Sequence, residues 1–151
     1  MEEIRKEEIR TSVLLQKLFK AKSLPRFLDE NEKSLHMPVF NLYLLELCQS
    51  RGMVPEQIIK RTTIERTYGH QLFNGTRQPS RDKVLQLAFG FELDVEGAQS
   101  LLKVARKVPL YPRIKRDAVI MYCLENHRGE IEVQDMLAEQ KLTILGGLTN
   151  G

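Results

Sequence analysis

The sequence predicts an all-α fold, on three observations. Apolar residues recur at spacings of three and four, no window alternates cleanly as a half-buried strand would, and helix caps and stops punctuate the chain. With 42% hydrophobic and 28% charged residues among 151, the chain can pack a core and is not expected to be disordered.

An opening helix is expected over residues 9–21, with Val13, Leu14, Leu18 and Ala21 along one stripe. Ser23-Leu24-Pro25 restarts the chain, Ser as N-cap and Pro in the first turn, for a short helix ending near Asn31. Residues 32–36 form a polar connector. Pro38 starts a longer helix through Arg51, with Leu42, Leu45 and Cys48 or Gln49 expected on its inner side and Gly52 as its stop. A short helix follows over 55–61, then a tight connection at Thr62-Thr63 and another helix over 65–73. Asn74-Gly75 ends that helix, because both residues tolerate the left-handed conformation needed there. Ser80 caps a helix over 81–89 that Gly90 breaks, and Asp94 caps the next, over 95–106. Pro109 and Pro112 bracket a rigid turn around Tyr111. Two last helices are expected over 113–125 and 133–140, and the glycine-rich end from Gly146 is expected to fray.

Several function classes lose support at this level. No apolar run approaches the roughly 18 residues that cross a bilayer, and the charged N-terminus lacks the pattern of a secretory signal. Cys48 and Cys123 lie in apolar helical patterns and read as buried free thiols, so a reducing, cytoplasmic setting is expected. His36, His70 and His127 are scattered, with no Ser, Cys or acidic partner at a catalytic spacing. Gly52, Gly69 and Gly75 make no phosphate-cradling loop. No enzyme, cofactor or metal site is expected.

Net charge is only +3, but its distribution is uneven. Residues 51–83 carry seven basic side chains against three acids, residues 103–116 carry six and no acid, and the chain from Asp117 onward is acidic. That asymmetry suits an anionic partner facing the middle of the chain. A weak echo also runs through the sequence: Arg81-Asp82-Lys83-Val84-Leu85 is matched 35 residues later by Arg116-Asp117-Ala118-Val119-Ile120. The offset suits helical repeats such as tetratricopeptide units, but so few identities read better as two similarly capped helices.

The segment Arg51 to Ser80 demands two short helices, a tight turn and an Asn-Gly stop. Gly52-Met53, Ile58, Ile64, Leu72 and the run Asn74-Gly75-Thr76-Arg77-Gln78-Pro79-Ser80, leading into Leu85, Leu87 and Ala88, resemble the Cro/repressor-type, lambda-repressor-like helix-turn-helix family. The resemblance covers about residues 40–105. It implies a helix-turn-helix DNA-binding domain at 38–108, between helical extensions at 1–37 and 109–151. It also implies a transcription regulator that lays its second short helix in the major groove of double-stranded DNA. Family positions facing bases map to Arg66, Thr67, His70 and Gln71. Arg66 would suit guanine, Gln71 adenine, and Thr67 a thymine methyl. Lys60, Arg61, Arg77, Arg81 and Lys83 are candidates for the phosphates of the DNA backbone, and Tyr68 either stacks against a backbone sugar or packs back on the domain.

Four positions depart from the family pattern: Pro55 replaces Gln, Ile59 Ala, Thr63 Gly, and Gly69 a bulky aliphatic residue. Ile59 and Gly69 read as one compensating change that conserves volume between the two helices. Thr63 does not easily take a left-handed conformation, so the turn is expected to differ from the family's. A homodimer is expected, with paired half-sites reinforcing single contacts. The alternative is a non-enzymatic adaptor on a degenerate helix-turn-helix scaffold, binding a protein partner through the flanking helices.

Overall fold

The computed structural model describes residues 2–147, with side chains from Ile9 onward. Among the described residues there are nine α-helices, one 3-10 turn (Glu32–Ser34) and no strand, so the fold is all-α. α1 (Glu2–Lys20) begins well before the expected start, and α2 (Leu24–Glu30) is capped by Ser23, whose hydroxyl accepts the Arg26 N–H. α3 (Phe40–Ser50), α4 (Pro55–Ile59), α5 (Arg66–Asn74), α6 (Arg81–Gly90) and α7 (Val95–Val104) follow at the expected places. α8 (Lys115–Glu125) and α9 (Glu130–Glu139) complete the chain, α9 starting three residues before its expected place. Residues 148–151, including part of the end expected to fray, lie outside the described residues.

Local chemistry sets most boundaries. Ser80 accepts the Lys83 N–H and Asp94 the Gly97 N–H, both as expected of N-caps. Gly75 takes φ of +85° at the end of α5, where Asn41 of α3 closes over it. Two expectations need correction. The inner face of α3 is Phe40, Tyr43, Leu44, Leu47 and Cys48, whereas Leu42 and Leu45 are exposed. Both stripes are apolar at helical spacing, and the packing of α3 against α5 and α1 selects the one that faces the core. Nor does Gly90 break α6 by its backbone freedom, since the left-handed residue comes later, at Glu92. A Cβ on Gly90 would stand 2.8 Å from the Thr62 methyl and 3.0 Å from the Ile58 carbonyl, so the glycine lets α6 approach α4.

The α4–α5 contact carries the compensation expected between Ile59 and Gly69. A Cβ at Gly69 would lie 2.8–2.9 Å from three carbons of the buried Ile59 side chain. Gly69→Ala should therefore lose about 1 kcal/mol, because overpacking outweighs the gain in helix propensity. In an Ile59→Ala background the same change should instead stabilise. Urea unfolding of the four proteins reads the reversal, and a gain in the wild-type background would refute the packing account.

One buried cluster runs from Phe40 to Leu145 and takes in Ile120, Cys123, Leu124, Val133 and Leu137 of α8 and α9. The boundary expected at 108 is thus not a boundary in packing. Both cysteines are buried and free; burial pushes the Cys48 thiol up to about 11, which suits an inert core residue.

The hairpins α6–α7 and α8–α9 repeat one another in detail, so the echo read as coincident capping is structural. The Gln99 side chain bonds both backbone groups of Leu110, at 2.8 and 2.7 Å, and Gln134 does the same to Leu145, at 2.9 and 2.7 Å. Arg81 donates to the carbonyls of Val108 and Pro109, and Arg116 to those of Thr143 and Ile144. Left-handed Glu92 and Arg106 recur as His127 and Lys141. The copies then exchange ion pairs. Arg81 grips Asp117 of the second hairpin through two bonds of 3.2 and 2.9 Å, and Arg116 grips Asp82 of the first at 3.0 and 2.9 Å. Asp117 also accepts the Tyr111 N–H, and Asp82 the Gly146 N–H, which anchors a glycine expected to fray. Each hairpin gives the other what it receives. The relation is a local two-fold exchange, unlike a solenoid, whose repeats contact their neighbours in one direction along a stack.

Candidate nucleic-acid interface

α4 and α5 form the pair of short helices at the centre of the site. Pro55 lies in the first turn of α4, and the Gln57 side chain accepts the Val54 N–H at 2.9 Å. The turn after α4 is closed by Thr62. Its hydroxyl donates to the Ile59 carbonyl at 2.7 Å and accepts the Ile64 N–H at 3.1 Å. Glu65 caps α5 by accepting the N–H groups of Tyr68 and Thr67, which hold its carboxyl below the usual range.

Helical spacing puts Gly69, Leu72 and Phe73 in the core and leaves Arg66, Thr67, His70, Gln71 and Asn74 on the outer side of α5. Thr67 is exposed. Arg66, 73% exposed, and His70 both reach Glu56 Oε1 on α4, at 2.8 and 2.9 Å. Hydrogen bonding from His70 and then from Arg66 holds the Glu56 carboxyl below its ordinary range. Gln71 Oε1 accepts from Arg77 Nε at 2.9 Å. Arg77 in turn lies over the Tyr68 ring, 4.3 Å from its centroid, and Lys83 Nζ lies 5.2 Å from the same centroid. Tyr68 is half-buried and packs back on the core between these two cations.

The expected backbone-contacting residues therefore separate. Lys60 is exposed near the end of α4, and Arg77 and Lys83 flank the α5 edge. Arg61 is turned toward the Gly90 carbonyl and Glu92. Arg81 is drawn away altogether: Nε and both terminal nitrogens are engaged with Val108, Pro109 and Asp117.

Sequence reasoning missed the group that holds the turn. Glu130, at the start of α9, is only 3% exposed and accepts the Thr63 N–H at 3.0 and 3.1 Å. It also accepts the Thr63 hydroxyl, and the Gln86 amide at 3.4 Å. Thr63 keeps an ordinary negative φ, so the turn does differ from one built on glycine. A polar chain then runs outward: Gln86 Nε2 donates to Thr63 Oγ1 at 3.0 Å, and Lys83 Nζ donates to Gln86 Oε1 at 3.1 Å. The C-terminal hairpin is thereby connected to the cations beside the outer edge of α5. Nothing in the local sequence marks Glu130 for this part, because its partners lie 67 and 44 residues away.

Among the described residues no group of three or more His, Cys, Asp and Glu side chains stands where it could hold a metal ion. Among them, too, no helix is long and apolar enough to cross a membrane. Compared with protein-family models, with curated proteins and with solved structures, the chain finds no match in any of the three.

Proposed function

We propose that the chain is a sequence-specific DNA-binding transcription regulator of lambda-repressor-like helix-turn-helix type, working in the cytoplasm on double-stranded DNA. The observation that carries this reading is the outer edge of α5. Arg66, Thr67, His70 and Gln71 lie along it, and Tyr68 with Arg77 and Lys83 stands beside it. A helix of this length fits the major groove, where Arg and Gln side chains pair bidentately with guanine and adenine edges. Arg77, Lys83 and Lys60 are the cations nearest to flanking phosphates in that pose.

A second reading rests on Glu56. A carboxylate gripping two of the four base-facing side chains favours a protein-binding adaptor, since it brings negative charge to a face meant for phosphate. The Arg66 pair is exposed, and exposed pairs of this kind are weak, so Arg66 exchanges readily to a guanine edge. DNA reading remains the better account.

Fluorescence anisotropy on duplexes from the gene's own neighbourhood, at several salt concentrations, tests it. Binding should weaken steeply as salt rises. Arg66→Ala/Gln71→Ala should lose at least about 30-fold on the preferred site, with little change on unrelated duplex. If every duplex binds more weakly than about micromolar, the adaptor reading replaces this one.

A further inference from the structure

Arg66 and His70 stand one turn apart on the outer side of α5, and both bond a single oxygen of α4, Glu56 Oε1, at 2.8 and 2.9 Å. The carboxyl is held below its ordinary range, so at neutral pH it is ionised and only accepts, and His70 Nε2 carries the proton of its bond. The acid lies deeper than the guanidinium: the Glu56 side chain is 27% exposed and that of Arg66 73%. Arg66 uses Nε for this pair, and among the described residues its two terminal nitrogens make no bond. An arginine reads guanine by giving two parallel N–H bonds to O6 and N7. With Nε taken by Glu56, the fork left for that purpose is the outer one, formed by the two terminal nitrogens.

We infer, resting on the DNA-binding reading and deepening it, that Glu56 is a positioning residue that aims the terminal fork of Arg66 at a guanine and so sets the guanine preference of the site. Two effects act in this direction. A guanidinium already steered by a neighbour loses less side-chain freedom when it docks, even where the exposed pair adds little to stability. The weak pair lets the guanidinium pivot to the base, and its terminal nitrogens bond there while Nε stays with Glu56. Once the base edge displaces water, the carboxylate–guanidinium–guanine chain is stronger than its members apart. The acid also acts against other duplexes. Arg66 follows a phosphate only by leaving Glu56, which strands a carboxylate beside the negative backbone. His70, bonded to the same oxygen, fixes the acid in place. An acid in the first turn of α4 is ordinary helix chemistry, but helix chemistry does not require a bond that crosses to α5.

Selection by the full-length protein from a library of duplexes with a randomised core tests it, followed by anisotropy on the selected duplex and on its variants with adenine at each guanine. Arg66→Ala marks the guanine that Arg66 reads, as the one it ceases to distinguish. The wild type should prefer guanine over adenine there by about 10- to 100-fold. Glu56→Ala should cut this preference at least about fivefold, yet bind unrelated duplex about threefold more tightly, because a negative charge has left the face. Glu56→Gln should share the tighter unrelated binding and keep most of the preference, since its carbonyl oxygen still accepts from Arg66 Nε. A Glu56→Ala protein that binds all duplexes more weakly by the same factor overturns the inference, because Glu56 then only supports the fold. So does one that binds all of them more tightly with its preference intact, because Glu56 is then only a repelling charge. A selected site in which Arg66→Ala loses no guanine overturns it too. If the wild type enriches no sequence, the DNA reading falls and takes the inference with it. If it enriches one whose guanine preference survives Glu56→Ala, the inference alone falls.

Discussion

Asp117→Ala is expected to lower the stability of the whole chain by about 3–5 kcal/mol, the range for removing one partner of a buried ion pair. Asp117 is 2% exposed and receives two bonds from Arg81 and one from the Tyr111 N–H. Its loss leaves the Arg81 guanidinium largely enclosed without its bonded carboxylate, its remaining bonds going to the Val108 and Pro109 carbonyls. Urea unfolding should show a lower midpoint with an unchanged slope, because the denatured chain exposes the same surface. A loss under about 1 kcal/mol would mean that the exchanged ion pairs do not join the two hairpins.

The mate of this pair adds a pH dependence. Burial pushes the Asp82 carboxyl up, but Arg116 and the Gly146 N–H outweigh it and hold the group below the usual carboxylate range. A folded-state value lower than the unfolded one means that the stabilisation is complete above the ordinary carboxylate range. It is lost as pH falls through that range toward the lowered folded value. Asp82→Asn should therefore be less stable at neutral pH and lose less stability on acidification than the wild type. Parallel acid limbs in the two proteins would contradict this assignment.

Glu130→Gln should be nearly as damaging as Glu130→Ala, each by about 2–3 kcal/mol, although glutamine keeps the shape. Every partner of the carboxylate donates: the Thr63 N–H, the Thr63 hydroxyl and the Gln86 amide. An amide in that place sets its own N–H₂ against at least one of them, so the shared acceptor is what matters. The effect should be concentrated in the turn between α4 and α5. Hydrogen exchange at the Thr63 N–H should accelerate more than at Leu85 in the middle of α6. Uniform acceleration would instead assign Glu130 to general packing. In the DNA-binding reading the same variants lose affinity without altering any side chain at the groove, because the turn sets the angle at which α5 is presented.

Several features were legible because their causes are local. Ser23, Ser80 and Asp94 cap helices through bonds to backbone N–H groups three residues on, and Gly75 ends α5 through its own φ. The Ile59–Gly69 contact was also legible, since a resemblance of the sequence was enough to read a large residue on one short helix against a missing side chain on the next. The face of α3 was not, since Leu42 and Leu45 form as good an apolar stripe as Leu44 and Leu47. Only the neighbouring helices choose between the two.

What the sequence determined by itself is therefore the helical content, most helix ends and the order of two short helices around Thr62-Thr63. These depend on spacing and on bonds spanning a few residues. Tertiary structure alone decided that residues 115–147 repeat and clasp residues 81–112, that Arg81 serves this clasp, and that Glu130 closes the central turn. Those choices rest on charge pairs and hydrogen bonds between residues 34 to 67 apart, and no local pattern encodes which distant donor will meet which acceptor.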